Sequence, residues 1–529
     1  MSAPLAPRLD GTVIAERPQP GAPRAYHFPA VTGATIANGL EVVIVDLPGR
    51  PLVSASMIIT GGSVEEPSNQ AGATVMAARA LTEGTERYDA IALVEAGERL
   101  GASLHAEAGW DALSVGVDVP AARLSAALEL VAEVLLRPTF PESEVERLRD
   151  ERLNDLLQAR ADPRRRVEEA FVGTIYTPQS PYHRPAGGTR ETVEGLTAGA
   201  LRATYLRTLH PGRATLVVGG DLGGLDVVAL AERLFGSWTG AGSATNAPAF
   251  PVVDTGTSIG RLVRVIHRPG AVQTEIRIGH RGLPRRIADF HAVSVMSAIL
   301  GGLFNSRLNM RLREEKGYTY GAGAGFDMRR GAGPFSARAA VNTEVTVPAI
   351  LDTLAELTRI RDTPVDEAEL VAARDFLIGV FPLRFETAGA VVGSLGSLAV
   401  HGLGVDELIG YRANIESVDV AAVAAAARAH LHVDDASIVL VGDVDAFGPA
   451  LEAAGLARIV IERDEDVGAS SPADEGDLTG PIDAAHDTGP TAGAEETVLP
   501  GSGDEPADTG VEPRTIDRDR PGRIPTDPD

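Results

Sequence analysis

The sequence predicts an α+β protein built from two homologous units of about 220 residues each, with mixed or antiparallel sheets flanked by helices. Two observations carry that reading. Separated segments recur at one spacing: Val193-Glu-Gly-Leu-Thr matches Ile415-Glu-Ser-Val-Asp, and Leu209 to Leu222 matches Leu431 to Val444, both 222 residues further on. Ala132, Glu133 and Pro141 recur as Ala355, Glu356 and Pro364 at a spacing of 223. A spacing shared by distant segments marks a duplicated unit rather than the short stacking repeat of a solenoid. Each unit also mixes short β-rich runs with amphipathic helical stretches, the pattern of sheets covered by helices.

In chain order, residues 1–34 read as an N-terminal extension, a leader or loosely attached strand rich in Pro and Ala. Gly39 to Val45 and Val53 to Ile59 are β-rich runs, the second stopped by Gly61 and Gly62. Ala71 to Leu81 and Ala90 to Leu100 are helical stretches, the latter closed by Gly101. Leu104 to Val119 alternates like two paired strands that turn near Trp110 and Asp111. Ala121 to Leu136 reads as an amphipathic helix ended by Pro138, and Glu142 to Arg160 as a charged helix stopped before Pro163. The first domain is drawn at 35–240, a Gly-, Ala-, Ser- and Thr-rich linker at 241–258, and the second domain at 259–447.

After Ile461 the composition changes. Residues 464–529 hold 18 acidic and 4 basic side chains, supplying −14 of the net charge of −25, with many Pro and Gly and almost no apolar periodicity. That is the signature of an acidic disordered tail. The acidic balance argues against nucleic acid or an anionic membrane as a partner. With no cysteine, thiol catalysis, disulfides and cysteine-based metal sites are excluded. No window approaches the length of a membrane span, so a soluble, cytoplasmic protein is expected.

The densest cluster of chemistry is Asn305-Ser-Arg-Leu-Asn-Met-Arg-Leu-Arg-Glu-Glu-Lys-Gly-Tyr-Thr-Tyr320. An apolar run from Val293 to Phe304 leads into a basic helix end, which stops near Lys316 and Gly317, and Tyr318, Tyr320 and Phe326 then favour a strand. This spacing puts Arg313 on the last helical turn and Tyr320 on the adjoining strand. Two readings follow: Arg313 compensates a helix C-terminus and Tyr320 is a core aromatic, or the two face a common ligand.

The duplicated unit, Gly62-Ser-Val-Glu-Glu, Ala71-Gly72, Glu83-Gly-Thr85, Leu100-Gly-Ala-Ser-Leu-His-Ala, Ser306-Arg-Leu and Leu312-Arg-Glu-Glu-Lys-Gly-Tyr-Thr-Tyr320 together resemble the pitrilysin/insulinase family of zinc metallopeptidases. The subfamily is that of mitochondrial processing peptidase and its bacterial relatives, and the likeness spans roughly residues 35–445. It implies two peptidase-like domains in a clamshell arrangement. In active members an H-x-x-E-H motif binds zinc through its histidines and uses the glutamate as general base, and a distal glutamate completes the site. Counted from Gly84 and Thr85, those positions are Val75, Ala78 and Arg79, and the distal position falls on Asp155, 76 residues after Arg79. Valine, alanine and arginine can neither hold zinc nor act as the base, and no histidine elsewhere stands in H-x-x-E-H or H-E-x-x-H order. Asp155 is expected to be a solvated helix residue.

The second half keeps what the first has lost. The family supplies an arginine and a tyrosine seven residues apart that bind the substrate backbone and the developing oxyanion, and Arg313 and Tyr320 match that pattern. The resemblance therefore implies a metal-free, non-catalytic subunit of a heterodimeric zinc metallopeptidase. A homologous partner subunit would carry the zinc, this chain would bind no cofactor, and a peptide would be the substrate, added as a strand to a sheet edge. The alternative is a structural or peptide-binding subunit with no role in proteolysis. An independent hydrolase lacks support, since no Ser–His–Asp arrangement is recognisable.

Overall fold

The computed structural model describes residue 21, residues 24–240 and residues 260–463. The linker assigned to 241–258 and the acidic tail at 464–529 lie outside the described residues.

Strands of the first half are β1 (Thr32–Thr35), β2 (Glu41–Asp46), β3 (Leu52–Thr60), β4 (Ser103–Ala108), β5 (Ala112–Pro120) and β6 (Ala214–Gly220). They form one sheet in the order β1-β2-β6-β3-β5-β4, in which only β2 and β6 run parallel. The second half supplies β7 (Leu262–His267), β8 (Gln273–Arg281), β9 (Ala322–Phe326), β10 (Pro334–Asn342), β11 (Ser437–Gly442) and β12 (Arg458–Arg463). These form a second sheet in the order β12-β7-β11-β8-β10-β9. Strands β6 and β11, the inner strands that close each repeat, are buried along their whole length, which is why they read as unbroken apolar runs rather than alternating ones.

The helices of the first half are α1 (Ala73–Ala80), α2 (Ala90–Leu100), α3 (Leu124–Leu136), α4 (Glu142–Ala161), α5 (Pro163–Ile175), α6 (Arg190–Glu194), α7 (Ala198–Thr208) and α8 (Val227–Phe235). Those of the second are α9 (Phe290–Ser297), α10 (Arg307–Asn309), α11 (Thr346–Asp362), α12 (Glu367–Val380), α13 (Ala388–His401), α14 (Asp406–Glu416), α15 (Val420–His430) and α16 (Val444–Ala453). Local chemistry sets their ends. Asp89 caps α2 by accepting from the Ala92 amide at 2.8 Å, and Gly101 closes that helix in the left-handed region at φ 64°. Asp162 caps α5, where Pro163 fills the first turn without wasting a donor.

The two halves match down to single hydrogen bonds. Asp46 Oδ1 accepts from the Leu222 amide at 3.1 Å, and His267 Nδ1 accepts from the Val444 amide at 3.2 Å. Asp221 accepts from the Gly49 amide at 3.0 Å, and Asp443 from the Gly270 amide at 2.9 Å. The repeat departs at the outer strand. β1 enters antiparallel to β2 from the N-terminal side, whereas β12 joins β7 in parallel from the C-terminal side. The second sheet thus extends to Arg463, past the domain end drawn at residue 447.

The halves interlock. Helix α5, although it precedes residue 240, packs on β8 and β11 of the second sheet, where Val167, Ala170 and Phe171 join a buried cluster with Ile266, Val439 and Val441. Helix α13 of the second half lies on β3 and β6 of the first sheet. The equivalent hairpin turns of the two halves also meet. Asp111 Oδ2 accepts from the Arg330 amide at 2.9 Å, and the Arg329 guanidinium lies 4.7 Å from the Trp110 ring and 4.8 Å from the Tyr182 ring.

The described part of the N-terminal extension is not loosely attached. The Tyr26 and Phe28 rings pack on Phe385 with centroids 6.0 and 5.0 Å away, and Arg412 donates to the Arg24 carbonyl at 2.9 Å. Among the described residues no single helix is long and apolar enough to cross a membrane; the bent pair α12 and α13 has that composition because α13 is a core helix.

Candidate functional site

Helix α1 begins where the chain turns at Gly72, whose φ of 92° favours glycine, and a Cβ there would sit 2.7 Å from the Gly187 carbonyl oxygen. The buried carboxylate at this end belongs to Glu66, which accepts from the Gly72 amide at 2.9 Å and the Thr74 amide at 2.5 Å. Burial raises the Glu66 carboxyl above its usual range against those bonds. Further along α1, the three motif positions do not converge on a cavity. Val75 is half-buried, Ala78 has no exposed surface and belongs to the core, and Arg79 faces outward.

Arg79 donates to Glu151 of α4 at 3.1 Å, and Glu151 also accepts from Arg147 at 2.5 Å. Arg147 reaches on to Glu83 at 2.6 Å and Glu144 at 2.8 Å. Asp155, on α4, keeps 39% of its side chain exposed and is also ion-paired: it accepts from Arg152, one turn back on α4, and from Arg165 of α5 at 2.8 Å. Burial holds the Arg152 guanidinium below its ordinary range, and the neighbouring charges of Arg165 and Arg79 push the same way against Asp155. A zinc ion at this place would meet the guanidiniums of Arg79, Arg147, Arg152 and Arg165, with Glu151 and Asp155 already engaged by them. The residues present do not fit the metal.

The second half closes the equivalent position outright. Gly301, 222 residues after Arg79, packs so tightly on β9 that a Cβ would lie 2.1 Å from the Ala324 amide nitrogen. One His–carboxylate group among the described residues, His267 with Asp443 and Asp445, has the spacing to hold a cation. Its Nδ1 lone pair is taken by the Val444 amide, the task Asp46 performs in the first half. This group is a turn clamp.

The Arg–Tyr stretch is built on a rigid frame. Residues Ala298–Gly302 and Met310–Glu315 form π-helical turns on either side of α10. Leu303, Leu308 and Leu312 are buried, and Arg307 grips Glu369 with two bonds of 2.7 Å. Arg311 is held by Asp352 at 2.8 Å and Glu315 at 2.8 Å. The helix ends at Gly317, φ 63°, with its amide donating to the Arg313 carbonyl at 3.0 Å and the Tyr318 amide to that of Leu312 at 2.8 Å.

Two sequence expectations change here. Tyr320 lies in the turn ahead of β9 rather than on the strand, and it is 91% exposed, so it is no core aromatic. Thr319 Oγ1 bonds both the carbonyl and the amide of Gly321, and Asn309 Oδ1 accepts from the Ala322 amide at 2.8 Å, so β9 begins only at Ala322. The apolar run from Val293 to Phe304 is not buried to its end either: Phe304 is 56% exposed. The Arg313 guanidinium carbon stands 4.6 Å from the Phe304 ring centroid, and its Nε lies 3.5 Å from Glu314. Phe304 and Asn309 were not singled out by the sequence. Asn309 joins the two ends of the site, since its Nδ2 also donates to the Leu303 carbonyl at 3.2 Å.

Comparison with known proteins agrees with this geometry. The model of the insulinase family (peptidase family M16) matches residues 41–185, and that of the peptidase M16 inactive domain matches 195–377. An uncharacterized zinc protease from Mycobacterium tuberculosis is 28% identical over 380 residues, 72% of this chain and 85% of the relative. A non-peptidase homolog from Helicobacter pylori is 21% identical over 401 residues, 74% of this chain and 89% of the relative. Among solved structures, a peptidase M16 inactive domain from Pseudomonas fluorescens aligns with a TM-score of 0.72 and 25% identity, covering 78% of this chain and 98% of that one. A protease from Helicobacter pylori shares the fold at a TM-score of 0.73 and 20% identity, over 79% of this chain and 100% of its own.

Proposed function

We propose a role from one premise: the chain belongs to the insulinase (M16) family of peptidases and lacks that family's zinc motif. It acts as the non-catalytic subunit of a two-chain zinc metallopeptidase. A homologous chain holds the metal, and this one supplies Arg313 and Tyr320 to the peptide backbone and to the oxyanion formed at the scissile carbonyl. A guanidinium and a phenol suit that task, because both donate hydrogen bonds to developing negative charge without giving up a proton.

The observation that carries this reading is the asymmetry between the halves. The motif positions of the first half are filled by core packing and by the Arg79–Glu151 pair, while Tyr320 stands exposed and Arg313 half-exposed on the frame described above. The test is to purify the chain alone, then mix it with a zinc-bearing homologue from the same cell. The lone chain should not cleave peptides, and mixing should raise the partner's activity. Hydrolysis by the lone chain, or no rise on mixing, would sink the proposal. The second reading is a peptide-binding or structural subunit outside proteolysis, favoured by the Helicobacter pylori relative called a non-peptidase homolog. It predicts that Arg313→Ala leaves the pair's activity intact.

A further inference from the structure

We infer that Phe304 is the positioning residue for Arg313, an assignment that rests on the reading of Arg313 as a ligand-facing group. The ring is held out by a loop that is anchored on both sides. Leu303 is buried and its carbonyl is bonded to Asn309, while Ser306 and Arg307 are buried, Arg307 in its double bond to Glu369. The loop therefore keeps an aromatic face in water and gives it little freedom to turn inward.

The Arg313 guanidinium lies over that face, 4.6 Å from the ring centroid. Stacking uses the flat face of a guanidinium and leaves its in-plane N–H donors available at the edge, here with Nε beside Glu314. The competing contact is Glu314, 3.5 Å from Nε, an exposed pair of small worth that solvent screens. The carboxylate would draw the donors back toward the chain's own surface, whereas the ring takes up none of them. A long, flexible side chain anchored in this way loses less freedom when it binds a carbonyl or carboxylate.

Gly317 and Asn309 complete the arrangement by setting where Arg313 stands relative to Tyr320. The Gly317 amide fixes the Arg313 carbonyl, and Asn309 ties the loop bearing Phe304 to the strand that follows Tyr320. Phe304 is thus one of three parts of a mount whose cargo is the arginine.

The test uses the full chain and fluorescein-labelled β-casein as an unfolded peptide probe, with affinity read by fluorescence anisotropy. Phe304→Leu, which keeps apolar bulk without the π face, should weaken binding about two- to five-fold, and Phe304→Trp should restore it. Phe304 is exposed, so both variants should keep the wild-type urea midpoint. In an Arg313→Ala background, Phe304→Leu should cost nothing further, because the ring acts through the arginine. If Arg313→Ala weakens binding but Phe304→Leu does not, or costs the same in both backgrounds, the positioning role is overturned and the reading of Arg313 survives. If Arg313→Ala has no effect, or the wild-type chain does not bind casein, the reading itself falls and the inference with it.

Discussion

Arg79 on α1 donates to Glu151 on α4 at 3.1 Å, at the position to which the count back from Gly84 and Thr85 assigns the family's second motif histidine. A guanidinium that has recruited the local carboxylates cannot be turned back into a metal site by restoring ligands one at a time. Ala78 makes this concrete, since it has no exposed surface and any larger side chain there must displace core atoms.

Restoring the general base by Ala78→Glu should therefore destabilise the chain by about 3 kcal/mol or more, the cost of forcing an unpaired carboxylate into a packed core. Urea denaturation measures this directly. A variant of wild-type stability that also retains zinc after dialysis would show that a hidden metal cavity exists.

Arg313→Ala should lower kcat of the reconstituted pair by roughly a hundred-fold, the range for losing a donor to a developing oxyanion, and Tyr320→Phe by less. A change confined to KM would place both residues in ground-state binding instead.

Acid stability should reflect buried neutral histidines. Burial lowers the pKa of His280 to about 4 and of His401 to about 4, against an ordinary value near 6.5. The unfolded chain binds those protons and the folded chain does not, so their contribution is complete above pH 6.5 and is lost as the pH falls toward 4. Burial of Glu66, Glu107 and Asp111 raises their carboxyls, and protonating these on acidification works in the opposite sense. His401→Gln separates the two effects: urea midpoints at pH 7.5 and 5.5 should differ less in the variant than in the wild type. An equal difference in both would remove His401 from the account.

Asn309→Ala should cost about 1 to 3 kcal/mol, because it strands the buried Ala322 amide and frees the Leu303 carbonyl. Hydrogen exchange at the Ala322 amide should speed up before any global change in stability is seen. Unchanged protection there would mean that another group holds the start of β9.

Much of this was legible locally. Gly101 after Ala90 to Leu100, and Pro163 after the charged helix, announced helix ends through local chemistry that needs no distant partner. The loss of zinc ligands at Val75, Ala78 and Arg79 could be read because Gly84 and Thr85 fix the count along one helix. Tyr320 was misplaced because its strand starts only where Asn309, 13 residues upstream of Ala322, takes the first amide. The exposure of Phe304 could not be read, since an apolar run carries no mark of where burial stops. The clamp on Asp155 was invisible, as Arg165 reaches it from the next helix across a break that the sequence shows only as a proline. No local pattern says that α5 covers the other half's sheet.

That exchange of α5 and α13 has a consequence for what counts as a unit of this protein. A chain cut in the linker would leave each sheet with a bare apolar face and a stray helix made to cover its counterpart's. Residues 24–240 alone running as a stable monomer on gel filtration would contradict this. The way for such a fragment to bury its surface is to find a second copy and trade helices with it. The intact chain is thus a pair of subunits that share one backbone, and its second half guards the first against meeting strangers.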